Sequence, residues 1–379
     1  MIDRILSRAV GNSKKSALLL GPRQTGKSTL VKSLKPDLSI NLADEIIYLN
    51  HAQDFSLLRS LIERSHAKRI FIDEVQRIPE LLNTVQALID ESSGLKFYLT
   101  GSSARKLKKG GANLLPGRVI NYSMGPLTLK ELNYSFKKED LIYGYLPGIY
   151  NSETIKEKSD LLSSYSSSYL KEEIKAESLV RDVPSFARFL EVIPQSVTFF
   201  IDYSKLAKSA KVSRHQISRF FEIFEDTMIG TRIFSDPLMT EKYDLIKHPQ
   251  FYFFDVGVYN GLQNSFDLSP ERLGILCEQT AFQQLFHTAH ALQKNIQIST
   301  FRTRGGVEID FWVKLESKDY AIEVKATDKI IDDDLRHLAL LKKQEPQAQF
   351  YLFHFGKAEV KKGGIWCLPI GTGLKEMGL

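Results

Sequence analysis

Gly21-Pro22-Arg23-Gln24-Thr25-Gly26-Lys27-Ser28 is the stretch on which the reading of this chain turns. It fills the pattern G-x-x-x-x-G-K-[ST] at every position. The apolar run Ala17-Leu18-Leu19-Leu20 leads in and predicts a buried strand, and Thr29 to Leu34 lead out with helical character. Strand, glycine-rich turn and helix are the context the motif needs. Gly21 and Gly26 let the backbone curl so that its N–H groups face a phosphate, and the helix N-terminus adds partial positive charge. Lys27 can then reach the β- and γ-phosphates, and the Ser28 hydroxyl can ligate Mg²⁺. The predicted nucleotide-binding set is Gly21 through Thr29.

Composition bounds the rest. A length of 379 residues exceeds one ordinary core and predicts two to three domains. With 43% hydrophobic and 25% charged residues the composition is that of a soluble globular protein. No apolar run approaches the ~18 residues of a membrane span, and the N-terminus lacks a secretory pattern. Cys277 and Cys367 alone make neither a disulfide framework nor a zinc site. These features point to the cytoplasm and to no membrane partner. The net charge of +6 permits nucleic-acid binding without demanding it.

Arg69-Ile70-Phe71-Ile72-Asp73-Glu74 predicts a second strand of this kind, with apolar β-formers ending in two acids. Asp73 would hold the Mg²⁺ shell and Glu74 would polarise the attacking water. Lys96 to Thr100 is another strand, closing in Gly101-Ser102-Ser103. Polar residues at the carboxyl ends of parallel strands face the ligand crevice, so Thr100 or one of the serines can sense the γ-phosphate. Strand-end capping is the alternative. Arg118 opens a fifth strand, either as a finger for a neighbouring subunit's γ-phosphate or as a solvated arginine.

These stretches, with Asp73-Glu74-Val75-Gln76, Pro79-Glu80-Leu81-Leu82, Thr100 to Ser103, Gly117-Arg118 and Pro126 to Leu132, resemble the bacterial and archaeal AAA-type ATPases that carry a C-terminal domain of unknown function. The resemblance implies an α/β fold, a doubly wound parallel P-loop sheet of the additional-strand type over residues 1–130. It also implies that Arg118 stands at the arginine-finger position of a homo-oligomer.

Three further segments are expected. Residues 131–198 are a helical lid, in which Glu173, Ile174, Glu177 and Arg181 resemble a branch of the same family. Residues 199–260 carry the outline of a winged helix-turn-helix, with Ile217, Phe220, Phe221, Phe224 and Met228 on a buried helical face. Arg214, His215, Gln216 and Arg219 are its candidate DNA contacts, and no acid lies between Tyr203 and Phe221. A protein-docking module is the alternative. Residues 229–234 and 251–254 are the expected wing strands.

In residues 261–379 a helix bearing Glu278, a strand bearing Asp310 and the Glu323-x-Lys325 strand follow in the order of the PD-(D/E)xK restriction-endonuclease fold, which they resemble. Asp310 and Glu323 on adjacent strands can share a divalent metal. Lys325, projecting to the same side as Glu323, can orient water or stabilise phosphate charge. The expectation is an ATP- and Mg²⁺-dependent ATPase coupled to DNA binding, and to cleavage if a second divalent metal binds. The rival expectation is a nucleotide-controlled protein-interaction switch.

Overall fold

The computed structural model describes residues 2–91, 94–102, 115–166, 182–327 and 329–379. They form two compact units, Met1–Gly125 with Asp226–Met228, and Pro126–Glu225 with Ile229–Leu379.

The first unit is built on a five-stranded sheet of β1 (Ser16–Leu20), β2 (Leu38–Asn41), β3 (Arg69–Asp73), β4 (Lys96–Gly101) and β5 (Val119–Ser123). All four pairings are parallel, in the order β2-β3-β4-β1-β5. β4 therefore lies between the strand that enters the glycine-rich turn and the strand that ends in Asp73. Successive strand side chains point to opposite faces. Leu18, Leu20, Ile70, Ile72, Phe97 and Leu99 accordingly join one core with residues of helices Ser56–Ser65 and Leu81–Glu91. Ala17, Leu19, Phe71 and Tyr98 join a second core with helices Leu6–Asn12 and Lys27–Ser33. Burial on both faces is why β1 reads as an uninterrupted apolar run.

In the second unit, helices Val183–Val192, Tyr203–Ala210 and Arg214–Asp226 surround a cluster of phenylalanines. Ile217, Phe220, Phe221 and Phe224 recur at helical spacing, and Phe220 meets Phe186 edge to face at 5.1 Å. The strands expected over 229–234 and 251–254 are β6 (Gly230–Ile233) and β7 (Gln250–Phe253), paired antiparallel. They do not form a simple hairpin, because helix Pro237–Tyr243 lies between them. Its entry is marked by Asp236, which accepts from Leu238 and Met239 N–H, and by Pro237 in the first turn. Residues 167–181, with Glu173, Ile174, Glu177 and Arg181, lie outside the described residues, as does Ser103.

The six-stranded sheet contains β8 (Ile296–Arg302), β9 (Glu308–Leu315), β10 (Lys318–Lys325), β11 (Gln349–His354), β12 (Val360–Lys362) and β13 (Ile365–Pro369), in the order β12-β13-β11-β10-β9-β8. β10, β11 and β13 are parallel, and the remaining pairings are antiparallel.

Helix Pro270–Ala291 is not buried along a single apolar face. Gln279, Gln283 and Gln284 are buried together with Leu276, Ala281, Phe282 and Leu285, whereas Phe286 is only half-buried. The glutamine amides replace backbone partners. Gln279 accepts from Phe253 N–H at 3.0 Å and donates to Phe253 C=O at 2.7 Å. Gln283 accepts from Val256 N–H at 2.9 Å, and Gln284 from Leu129 N–H at 2.7 Å. An amide side chain carries both donor and acceptor, so it can satisfy both backbone groups of a residue that point away from a neighbouring strand. Gln279→Leu leaves the Phe253 N–H and C=O unpaired in the interior. It is expected to cost about 2 to 4 kcal/mol of stability, read from the urea midpoint. A loss under about 0.5 kcal/mol would show that these bonds do not hold the unit together.

Candidate nucleotide site and the acidic cluster

The turn after β1 closes against its own unit. Gly21 N–H donates to Gly101 C=O at 3.2 Å, and a Cβ at Gly21 would stand 2.0 Å from the Met124 carbonyl oxygen, so no larger residue fits. Gln24 and Gly26 take left-handed backbone conformations, with φ of 61° and 92°. Thr25 Oγ1 donates to Pro22 C=O at 2.9 Å. Outside the motif, the Arg4 guanidinium donates to Thr25 C=O and, at 2.8 Å, to Gly125 C=O, bracing the loop.

Lys27 and Ser28 begin the helix that follows. The buried Lys27 ammonium donates to Gly21 C=O and Pro22 C=O, each at 2.8 Å, so its charge sits inside the curl of the loop. Ser28 Oγ donates to Asp73 Oδ1 at 2.9 Å. Thr100 Oγ1 also donates to Asp73 Oδ1, and it accepts from Glu74 N–H at 3.3 Å. Asp73, Thr100 and Ser28 thus gather at the carboxyl ends of β3 and β4 and at the start of the helix. Glu74 follows at φ 57° and turns the chain into the short 3₁₀ helix Val75–Arg77. Thr29 and Gln24 are exposed, and Arg23 is half-buried.

Arg118 stands just before β5 and forms a two-pronged pair with Asp90. Nε and one terminal nitrogen lie 2.7 and 2.8 Å from the carboxylate oxygens. Gln76 was not picked out as a site residue by its sequence, yet it is buried beside Glu74 and donates to the Glu74 carboxylate and to Ser102 Oγ. The available signal was a polar residue two places past an acid at a strand end.

In the second unit, Arg214, His215 and Arg219 are exposed on helix Arg214–Asp226, and Lys205 and Lys208 on helix Tyr203–Ala210 and Lys211 just after it are exposed too. Gln216 is engaged differently from the expectation of a free contact. Its Oε1 accepts from Ser213 N–H at 2.9 Å, while its own N–H donates to Ser213 Oγ, which makes a reciprocal cap.

Glu278, Asp310, Glu323 and Lys325 are brought together electrostatically. Burial pushes Glu278 up to about 8, with the Glu323 and Glu308 charges adding to it against a hydrogen bond from Tyr252 OH at 2.6 Å. Burial also holds Asp310 well above the carboxylate range, reinforced by Glu323 and Glu278, although Val324 N–H donates to it at 2.7 Å. Glu323 is raised by burial and opposed by Lys325, whose ammonium donates to it at 2.7 Å. Burial works against the Lys325 charge, and Glu323 more than offsets this, so its pKa is raised. Among the described residues no three His, Cys, Asp or Glu side chains stand as a ligand set for a metal.

Comparison with known proteins follows the two units in part. Residues 13–133 match the family described as an AAA domain. Residues 137–269 and 273–372 match two domains of unknown function, DUF8612 and DUF4143. The segment matched by the AAA domain holds the Gly21–Ser28 turn, Asp73, Glu74, Thr100 and Arg118. An uncharacterized protein of Mycobacterium tuberculosis is 24% identical over 82% of this chain and 70% of its own length. One of Methanocaldococcus jannaschii is 25% identical over 84% and 79%. Among solved structures, a DNA polymerase III gamma subunit-related protein of Thermotoga maritima is similar at 10% identity. It covers 59% of this chain and 100% of its own, with a TM-score of 0.26. A structure of Pif1 helicases at forked duplex DNA is similar at 15% identity, over 48% of this chain and 59% of its own, with a TM-score of 0.25. Among the described residues no helix is long and apolar enough to cross a membrane.

The acidic cluster has a pH signature. Glu278 titrates higher in the folded chain, at about 8, than its ordinary 4.5. The folded state therefore holds a proton that the unfolded state has released between those values. Its contribution to stability is full below the lower value and is lost as pH rises through the upper one. Glu278→Gln imitates the protonated form. The variant is expected to melt at a higher temperature than the wild type at pH 8.5 and to differ little at pH 5. Equal melting temperatures at both pH values would show that Glu278 is not strained by its charge.

Proposed function

We propose that this protein hydrolyses ATP and that its nucleotide state governs DNA binding by the second unit. The carrying observation is the 2.9 Å contact of Ser28 Oγ with Asp73 Oδ1 beside the Gly26 turn. It gathers hard oxygen donors next to a loop whose lysine is already turned inward, a donor set that suits magnesium nucleotide. Ser28 and Asp73 would hold Mg²⁺, and residues 21–29 the phosphates. Bound there, Mg²⁺ supplies neutralisation of phosphate charge. Lys27 exchanges its two carbonyl partners for terminal phosphate oxygens. Glu74 takes the proton of the attacking water, and Thr100, anchored on Asp73, senses the γ-phosphate. Arg118, released from Asp90, serves as the finger toward a second copy of the chain.

Residues 1–130 act as the ATPase core, 131–198 as the lid, 199–260 as a winged helix-turn-helix and 261–379 as a restriction-endonuclease-like domain. DNA contact falls to Arg214, His215 and Arg219, whose exposure on one helix beside three exposed lysines supports this assignment. A second reading is metal-dependent DNA cleavage at Glu278, Asp310, Glu323 and Lys325. It is favoured by the elevation of the three acids, which burial causes and to which the Glu323 charge adds at Glu278 and Asp310; a divalent cation would relieve it. Cleavage requires Glu278 and Glu323 to give up Tyr252 and Lys325 as partners.

Lys27→Ala is expected to weaken ATP binding by roughly 10- to 100-fold, the worth of lost charge-assisted hydrogen bonds. Glu74→Gln should retain ATP affinity and lose about 10²- to 10⁴-fold in turnover, measured as phosphate release. Wild-type turnover in Glu74→Gln would remove Glu74 from the mechanism.

DNA binding through phosphates should weaken steeply with salt, and Arg214→Ala with Arg219→Ala should lower the log–log slope by about 2. Mg²⁺- or Mn²⁺-supported nicking that stops in Asp310→Ala, with DNA affinity retained, is the result expected of the second reading. No DNA binding by the full chain, with or without ATP, would overturn the DNA role and favour the nucleotide-controlled protein-interaction switch.

A further inference from the structure

We infer that Gln76 is a positioning residue for the Glu74 carboxylate and ties that carboxylate to the end of β4. This rests on the hydrolytic role proposed for Glu74.

Glu74 is anchored to β4 twice. Its backbone N–H donates to Thr100 Oγ1 at 3.3 Å. Its carboxylate accepts from Gln76 Nε2, and the same amide nitrogen donates to Ser102 Oγ at 2.9 Å. Two properties give the amide control over the carboxylate. Gln76 is only 1% exposed, so water does not compete for its N–H groups. It is also confined, because a Cβ built at Gly101 would stand 2.9 Å from Gln76 Oε1. The close fit to β4 limits the rotations open to the amide. The left-handed turn at Glu74 and the short 3₁₀ helix Val75–Arg77 after it fix the path of the chain between the two side chains.

Glu74 itself is half-exposed, in a left-handed backbone conformation at the end of a strand. A carboxylate on that short stem samples several rotamers unless something holds it. A general base displaced by about 1 Å loses about 10²-fold in rate. The Gln76 amide holds one carboxylate oxygen and leaves the other for the water. Because Ser102 is the second acceptor, the base is referred to the same strand end that carries Thr100, the residue bonded to Asp73. Metal ligand, phosphate sensor and base are then set by one strand.

The test uses the full-length protein and compares Gln76→Leu, Ser102→Ala and Glu74→Gln with wild type. Turnover is read as phosphate release, affinity with a fluorescent ATP analogue, and folding by thermal melting. Gln76→Leu keeps the bulk and loses the donor. It should lose roughly 10- to 100-fold in kcat with ATP affinity within about twofold. Ser102→Ala should lose severalfold in kcat in the same pattern. Gln76→Leu should add nothing in the Glu74→Gln background, because its effect acts through Glu74.

A folded Gln76→Leu with wild-type kcat overturns the inference. So does loss of affinity in step with kcat, or a full further loss in the Glu74→Gln background. Should Gln76→Leu fail to fold, Ser102→Ala decides: unchanged kcat there overturns the inference. Wild-type turnover no greater than that of Glu74→Gln would instead overturn the hydrolytic role, and the inference with it.

Discussion

The Asp73 carboxylate is the point on which the first unit depends. One of its oxygens accepts from both Ser28 and Thr100, so it joins the helix after β1 to the ends of β3 and β4. β1 is remote from β3 and β4 along the chain, and β4 sits between β1 and β3 in the sheet. A buried carboxylate in such a place is costly unless donors surround it. Two hydroxyls meet that need with neutral groups, and a hydroxyl can exchange its partner without breaking the fold. A lysine there would have sealed the site with a permanent ion pair. The choice of hydroxyls over cations around Asp73 leaves its partners exchangeable.

Polar groups organise the second unit as well. Helix Pro270–Ala291 is buried on nearly every side, and its glutamines stand in for backbone partners of residues 127–129 and 253–256. Asp255 adds to this network. Burial raises it to about 6, opposed by donors from Tyr145 N–H and Val258 N–H. A network of this kind confers specificity of chain path, because a shifted register would leave several groups unpaired at once. On the same helix, adjacent to Gln279, Glu278 faces the strand acids and carries the charge strain of the cluster. A single element therefore supplies both the frame of the unit and one member of its acidic cluster.

The phosphate-binding turn was legible in the sequence because its chemistry is contiguous. Eight adjacent residues carry the glycines that must curl, the lysine and the hydroxyl, and backbone geometry alone puts them together. The parallel sheet was legible for a related reason, since strands buried on both faces are apolar without alternation. The order of acids at 278, 310 and 323 could likewise be read along the chain, and the strand and helix assignments around them hold.

Contacts between distant residues were decided by tertiary structure. Nothing in the spacing of Gln76 and Ser102 says that they meet, because β3 and β4 must first lie side by side. The sequence carries no sign that the glutamines of helix Pro270–Ala291 are buried, since an amide is polar wherever it stands and only packing shows that backbone groups await it. The Arg118–Asp90 pair and the Tyr252 partner of Glu278 belong to the same class. Local sequence determines which groups are present and how a short stretch must bend. Burial and the approach of remote segments determine what those groups bond to, and therefore their charge.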